Sequence, residues 1–389
     1  MKYSNNAITL EGSATLQFTA KANALKAAGK DIISLTAGQP DFRTPKVAVD
    51  AAKAAMDAGK TLYTPSVGIP ELREAVATRW SKRHNLSYSL KNVMVSCGAK
   101  HSIANLIEAA VNVGDKVLIP KPFWVSYPQM IRRFGAIPIF PTGSKMLITG
   151  NDIRNAAKNG AVGMIFNSPS NPSGLVHSMD AIADVAQAVK DTGIWVISDD
   201  IYEDLYYGDG AVPHILTVAP ELQHHVALVT GVSKTYAMTG WRIGFALANT
   251  DWIGIAGKIQ AHSTSNPCSI SQYASLSVVN NEAETDRLSM FAAFKRRRDM
   301  ICSLLDNVDG LEFQKPEGAF YVFPKILSDK LVNSNEFCLS LLENYGLGTI
   351  PGSAFGTEGY IRLSFAASDE DIREAVKSLE TFIKRGDFL

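Results

Sequence analysis

The chain has 389 residues, beyond the usual reach of one hydrophobic core, so two domains sharing one chain are expected. With 46% hydrophobic and 20% charged residues, the composition excludes a disordered or low-complexity protein. Lys+Arg and Asp+Glu balance at 38 each, which argues against a nucleic-acid-binding surface, and no apolar run is long enough to span a membrane.

Cys97, Cys268, Cys302 and Cys338 are scattered without paired spacing, which suggests neither a disulfide framework nor a metal site. The N-terminus lacks the charged and apolar regions of a signal peptide, so a cytoplasmic protein is expected.

In chain order, the Ala- and Lys-rich stretch 17–30 reads as a helix stopped by Gly29. DIISLTAGQPDF then runs from a short apolar strand into a turn where Gly38 lets the backbone come close to another group. Residues 46–58 have helical spacing, Pro70 sits near the start of another helix, and Tyr63 lies in the loop between them. A strand over 92–96, the turn Cys97-Gly98-Ala99 and a helix over 100–111 form an anion site, because free N–H groups and the helix dipole favour negative charge. Lys100 in that first helical turn opposes the dipole and calls for a nearby anion, either a ligand phosphate or a substrate carboxylate. The strand 116–119 leads into a Pro-bounded loop with Phe123 and Trp124, and an aromatic there can stack on a flat heteroaromatic ring.

The strand 162–166 ends in a polar turn carrying Asn171, a helix follows over 179–191, and the strand 194–197 delivers Asp199 to its C-terminal end. Open α/β sheets bind ligands at that edge. A carboxylate beside a pyridine nitrogen keeps it protonated, and a protonated ring is an electron sink; Asp200 competes with Asp199 for this role. The strand 226–230 feeds GVSKTYAMTGWRIG. Lys234, set among small residues, is a candidate Schiff-base former, and Arg242, on a strand over 241–247, offers a planar donor fork to a phosphate.

Helices begin near residues 252, 267 and 284, and the last carries the basic run 295–298, expected to be a solvated face. Beyond it, short strands around a Pro-Glu-Gly turn, a helix over 336–345, the strand 360–365 with Arg362 and a final helix make a smaller α+β unit. Alternating strands and helices over 90–250 point to a mainly parallel sheet covered on both faces.

The stretch 231–244, with Lys234, Ala237, Met238, Gly240 and Arg242, resembles the pyridoxal-phosphate attachment site of class I/II aminotransferases. YTPSVGIPELR, SPSNPSG, the Asp-x-x-Tyr spacing of Asp199 and Tyr202, and RLSF extend the resemblance over nearly the whole chain, most closely to the bacterial aspartate aminotransferase branch. It implies a large cofactor-binding domain over 46–285 and a small domain from 1–45 and 286–389.

It also implies that Lys234 carries pyridoxal 5'-phosphate and later moves the substrate proton, with Asp199 at the pyridine nitrogen, Tyr202 and Asn171 at the phenolic oxygen and Trp124 against the ring. Gly98, Ala99, Lys100, Ser233 and Arg242 would surround the phosphate, and Tyr63 would reach the phosphate of a neighbouring subunit, which makes a homodimer with shared sites. Arg362 would clamp the substrate α-carboxylate, with Gly38, Asn171, Trp124 and Lys100 completing the substrate site.

The expected reaction is ping-pong transfer from an aspartate- or glutamate-type amino acid to a 2-oxo acid such as 2-oxoglutarate. Aromatic or prephenate transamination, or a lyase reaction on the same scaffold, is the alternative. Ser173 replaces the usual Thr, Gly231 stands where the family has a phosphate-binding Ser, and Glu11 stands where dicarboxylate-accepting members tend to carry a basic residue.

Overall fold

The apolar runs between residues 93 and 247 are of strand length, and they assemble into one seven-stranded sheet. Its strands are β1 (Val93–Ser96), β2 (Lys116–Leu118), β3 (Ile137–Ile139), β4 (Ala161–Asn167), β5 (Trp195–Asp199), β6 (Val226–Gly231) and β7 (Gly244–Leu247). The structure, a computed structural model, describes residues 1–141, 146–328 and 333–386. The order across the sheet is β1-β7-β6-β5-β4-β2-β3, with β7 antiparallel to both neighbours and the remaining pairs parallel.

Strand alternation divides the side chains between two helical layers. Met94, Ile197, Val229 and Ala246 pack with Ile103 and Leu106 of helix Ala99–Ala110 and with Ile253 of helix Thr250–Ser263. Val93, Val95, Leu228 and Phe245 face the other way, toward Leu72 and Val76 of helix Pro70–His84 and Ala274 of helix Ser269–Val279. Covered on both sides, β1, β6 and β7 are buried throughout.

A second core joins the chain ends. Ile33–Ser34 pairs in parallel with Leu347–Gly348, and Ile361–Ser364 lies between Tyr321–Val322 and Ile350–Pro351, antiparallel to both. Phe18 and Leu35 from the N-terminal segment share this core with Phe294, Phe320, Phe337, Leu363 and Phe382. The backbone N–H of Ser364 donates to Leu35 O at 2.9 Å, so the turn at Gly38 is anchored to the C-terminal unit.

Three local features differ from the sequence reading. Helices Ser126–Arg133 and Gly150–Lys158 and the strand β3 are too short to leave a clear period. Arg242 lies on no strand: the 3-10 turn Thr239–Trp241 precedes it, its own φ is 57°, and β7 starts only at Gly244. Nor is the basic run a solvated face. Successive helical residues are about 100° apart, so four of them sweep the whole circumference.

Lys295 and Arg296 stay exposed while Arg297 and Arg298 turn into the core. Arg297 donates to both Asp41 oxygens at 2.8 and 2.9 Å and lies 5.2 Å from the Phe42 ring centre; Arg298 lies 4.9 Å from that of Tyr207.

Asp41→Asn removes the carboxylate from the fork of a buried arginine and is expected to lower the unfolding free energy by about 1–3 kcal/mol. Urea unfolding measures this; an unchanged midpoint would remove the pair from the interactions that hold the Gly38 turn.

Candidate functional site

The C-terminal ends of β4, β5 and β6 open into a cavity of about 480 Å³, where sheet topology places ligand sites. A larger open groove of about 640 Å³ lies elsewhere, along Trp195 and Thr250–Ile255, but no lysine or arginine lines it. The smaller cavity holds four cationic side chains, Lys100, Lys234, Arg242 and Arg362, against one carboxylate, Asp199. That imbalance suits an anionic ligand.

Each group is delivered by a short local device. β6 ends at Gly231 and the single turn Val232–Thr235 brings up Lys234, whose Nζ donates to Gly38 O. Burial, followed by the charges of Arg242 and Arg362, lowers the Lys234 amine from its ordinary 10.5 to about 8. A Cβ at Gly231 would stand 2.9 Å from Ile243 O, which gives a packing reason for glycine at this position.

Arg242 folds back over the helix start, donating from Nη1 to Thr239 O at 3.0 Å and from Nη2 to Cys97 O at 3.2 Å. Gly98 below it has a φ of 84°, and a Cβ there would come within 2.3 Å of Nη2. A Cβ on Gly244 would come within 2.1 Å of the Ala99 nitrogen. Two glycines thus bring an arginine, a helix N-terminus and strand β7 into contact. This is a cradle for a phosphate-sized anion.

Asp199 ends β5 and is 4% exposed. Burial pushes its carboxyl up to about 6, the hydrogen bond from Tyr127 works against that rise, and Asp200 adds to it. Tyr127 Oη donates to Asp199 Oδ2 at 2.6 Å. Asp200 points to the opposite face, where Ser198 Oγ donates to it at 2.9 Å and His214 Nε2 lies 3.1 Å away. Tyr202 Oη is 2.9 Å from Tyr321 Oη.

Arg362 is fully buried. Its Nη1 donates to Asn171 Oδ1 at 2.9 Å and its Nη2 to Thr36 O at 2.7 Å. Its Nε has no hydrogen-bond partner among the described residues, and the rings of Tyr321 and Phe355 flank it at 4.5 and 5.1 Å. Asn167 steadies the neighbouring turn, accepting from Asn171 N at 2.9 Å and donating to Asp199 O at 2.7 Å. Lys100 Nζ sits 4.7 Å from the Trp124 ring centre.

Of the residues singled out in the sequence, Gly38, Ala99, Lys100, Trp124, Asn171, Asp199, Tyr202, Ser233, Lys234, Arg242 and Arg362 line this one cavity. Gly98 lies beneath Arg242, and Tyr63, 90% exposed, lies away from the cavity of its own chain. Sequence reasoning missed Tyr127, Tyr321, Asn167 and Thr36. Tyr127 carries a signal in retrospect, three residues past Trp124 and so one helical turn away; Tyr321 in FYVFP reads like any core aromatic.

An aldehyde-bearing phosphate ester of a protonated pyridine matches this donor set. The cradle takes the phosphate, the amine of Lys234 meets the aldehyde, and the buried carboxylate of Asp199 suits the ring cation.

The family model for aminotransferase class I and II matches residues 30–379. An aspartate aminotransferase from Bacillus sp. (strain YM-2) is 37% identical, with 98% of each chain covered. An aspartate/prephenate aminotransferase from Cereibacter sphaeroides is 39% identical over 95% of this chain and 96% of its own length. Among solved structures, the aspartate aminotransferase from Thermus thermophilus with maleate superposes with a TM-score of 0.93 at 33% identity, covering 98% of this chain and 99% of the other.

With the Lys234 amine at about 8 rather than 10.5, its acylation in cofactor-free protein is expected to rise through pH 8 as the neutral form appears. Peptide mapping of the labelled lysine follows this, and a midpoint near the ordinary value would contradict the crowding of cations around it.

Proposed function

The chain belongs to the class I and II aminotransferases, and we propose that it transfers the amino group of an acidic L-amino acid, aspartate or glutamate, to a 2-oxo acid such as 2-oxoglutarate. The carrying observation is the set of four cations facing one carboxylate in the cavity. A phosphate and one α-carboxylate do not exhaust four positive groups, and a second carboxylate on the substrate suits the remainder. Relatives named as aspartate aminotransferases, one of them solved with the dicarboxylate maleate, support the same reading.

Enzymes of this family use pyridoxal 5'-phosphate, which supplies an aldehyde for the amino group and an electron-withdrawing ring for the charge that develops at the α-carbon. In this chain Lys234 would hold it through its amine, and Nζ is the group that would take and return the substrate α-proton. An amine near pH 8 is suited to both directions. Asp199 would face the ring nitrogen, Tyr202 and Asn171 the phenolic oxygen, and Trp124 the ring. Ser233, Arg242 and the Gly98-Ala99-Lys100 turn would receive the phosphate.

Arg362, its fork already aimed by Asn171 and the Thr36 carbonyl, receives the α-carboxylate bidentately. The Gly38 segment and Trp124 close around the substrate, and Lys100 meets the distal carboxylate. Glu11 does not stand free at the mouth: Gln129 Nε2 donates to it at 3.3 Å and Arg132 Nη1 lies 3.9 Å away, which moderates its repulsion of an acidic substrate.

We further read the chain as a cytoplasmic homodimer in which the exposed Tyr63 of each subunit completes the phosphate site of the other. Residues 46–285 form the larger domain, and 1–45 with 286–389 the smaller one. Among the described residues no helix is long and apolar enough to cross a membrane.

Lys234→Ala is expected to abolish the borohydride-reducible cofactor adduct; an adduct that survives in this variant sinks the assignment. In a single-turnover screen following cofactor absorbance, aspartate and glutamate should convert the cofactor faster than aromatic or basic amino acids. The reverse order would leave the aminotransferase and overturn the substrate class.

A further inference from the structure

We infer that Tyr127 is a positioning residue for this reaction: by donating its buried hydroxyl to Asp199 Oδ2, it holds that carboxylate ionised and leaves Oδ1 available to the cofactor ring nitrogen. The inference rests on the aminotransferase reading.

Asp199 is a carboxylate in an unfavourable place. It ends a buried strand, is 4% exposed, and is met by Tyr127 on Oδ2 and by the Ile201 N–H on Oδ1 at 3.3 Å rather than by a cation at contact distance. Four groups face it from the surrounding elements. Asp200 beside it on the chain favours the neutral acid, as burial does. Tyr202, from the turn beyond β5, and Tyr127, from helix Ser126–Arg133, bring phenols; Lys234, from the turn beyond β6, acts on it as a cation that favours the charged form.

Burial, then Asp199 and Asp200, holds the Tyr127 phenol well above its ordinary range, so Tyr127 is the donor in this pair. A neutral Asp199 would offer a proton where the ring nitrogen needs an acceptor. Of the two hydrogen bonds to the carboxylate, the 2.6 Å bond from Tyr127 opposes neutralisation more than the 3.3 Å bond from Ile201 N–H. Tyr127 is itself fixed: it is 2% exposed and packs edge-on against Trp124, with ring centres 5.3 Å apart. The turn leading into helix Ser126–Arg133, closed by Tyr127 N–H donating to Trp124 O at 3.0 Å, therefore sets both the stacking aromatic and the donor to Asp199.

The test is titration of the Asp199 carboxyl carbon by NMR in full-length, cofactor-free protein, comparing wild type with Tyr127→Phe and with 3-fluorotyrosine at position 127. Loss of a hydrogen bond to a charged acceptor should raise the midpoint by about one to two pH units in Tyr127→Phe. Fluorotyrosine, a stronger donor of nearly the same shape, should lower it. It keeps the test open if Tyr127→Phe does not fold.

In the cofactor-loaded enzyme, Tyr127→Phe should move the acid limb of kcat to higher pH and leave KM for the amino acid nearly unchanged. Midpoints that coincide, or a fall in kcat with an unmoved acid limb, would assign Tyr127 to packing alone. Should the carboxyl titrate as expected in a protein that does not turn over, the aminotransferase reading fails and the Tyr127–Asp199 coupling stands.

Discussion

Like charges brought together away from water are the constraint on which this molecule depends. Lys234, Arg242, Arg362 and Lys100 converge on one cavity, and their mutual repulsion with burial lowers the affinity of the lysine for its proton. The fold tolerates this because each arginine is held by neutral oxygens: Thr239 O and Cys97 O for Arg242, Asn171 Oδ1 and Thr36 O for Arg362. Carbonyl dipoles orient a guanidinium without cancelling its charge. The positive potential is therefore kept for an incoming anion, as electrostatic preorganisation requires.

Backbone proximity is the second condition. A phosphate cradle built on a helix start works only if the neighbouring strand lies almost on the turn. Gly98 and Gly244 permit that contact, and Gly231 repeats it one strand over, where a side chain would press on Ile243 O. The glycine at 231 thus follows from how closely β6 and β7 approach at their ends. The N–H groups of the Gly98-Ala99 turn, Ser233 and Arg242 remain as the donors around the cradle.

Much of the fold was legible because buried parallel strands leave continuous apolar runs, as at 226–230 and 162–166, whose ends held to within a residue or so. Residues that act by type and position were also legible: Lys234, Asp199 and Arg362 are costly to bury and stand at strand ends or in turns. Arg242 lines the cavity but from a turn rather than a strand, since WRIGFAL has no visible break in sequence and only the left-handed backbone at 242 separates turn from strand. Arg297 and Arg298 were misread because charge in a run looks solvated until helical rotation is considered. Tyr127, Tyr321 and Asn167 were invisible for another reason. Their work is done through a second residue, and no single-residue chemistry announces it.

The adjacent carboxylates Asp199 and Asp200 show how much rests on one step of strand alternation. On the cavity face, Asp199 meets a phenol and a distant lysine, and its carboxyl lies near 6. On the opposite face, Asp200 joins His214 and Ser198, and the His214 ring lies 4.5 Å from that of His84, whose Nε2 is 3.6 Å from Glu203, the partner of Arg83. There burial works against the Glu203 carboxylate, but the guanidinium of Arg83 at 3.1 Å, with His84 and Trp80, holds it below the usual carboxylate range. Behind the sheet Glu203 is paired with Arg83, whereas the cavity leaves four positive groups against one negative. A shift of β5 by one residue would exchange the two carboxylates and give the cavity a different chemistry, so strand register is a catalytic constraint here as well as a packing one.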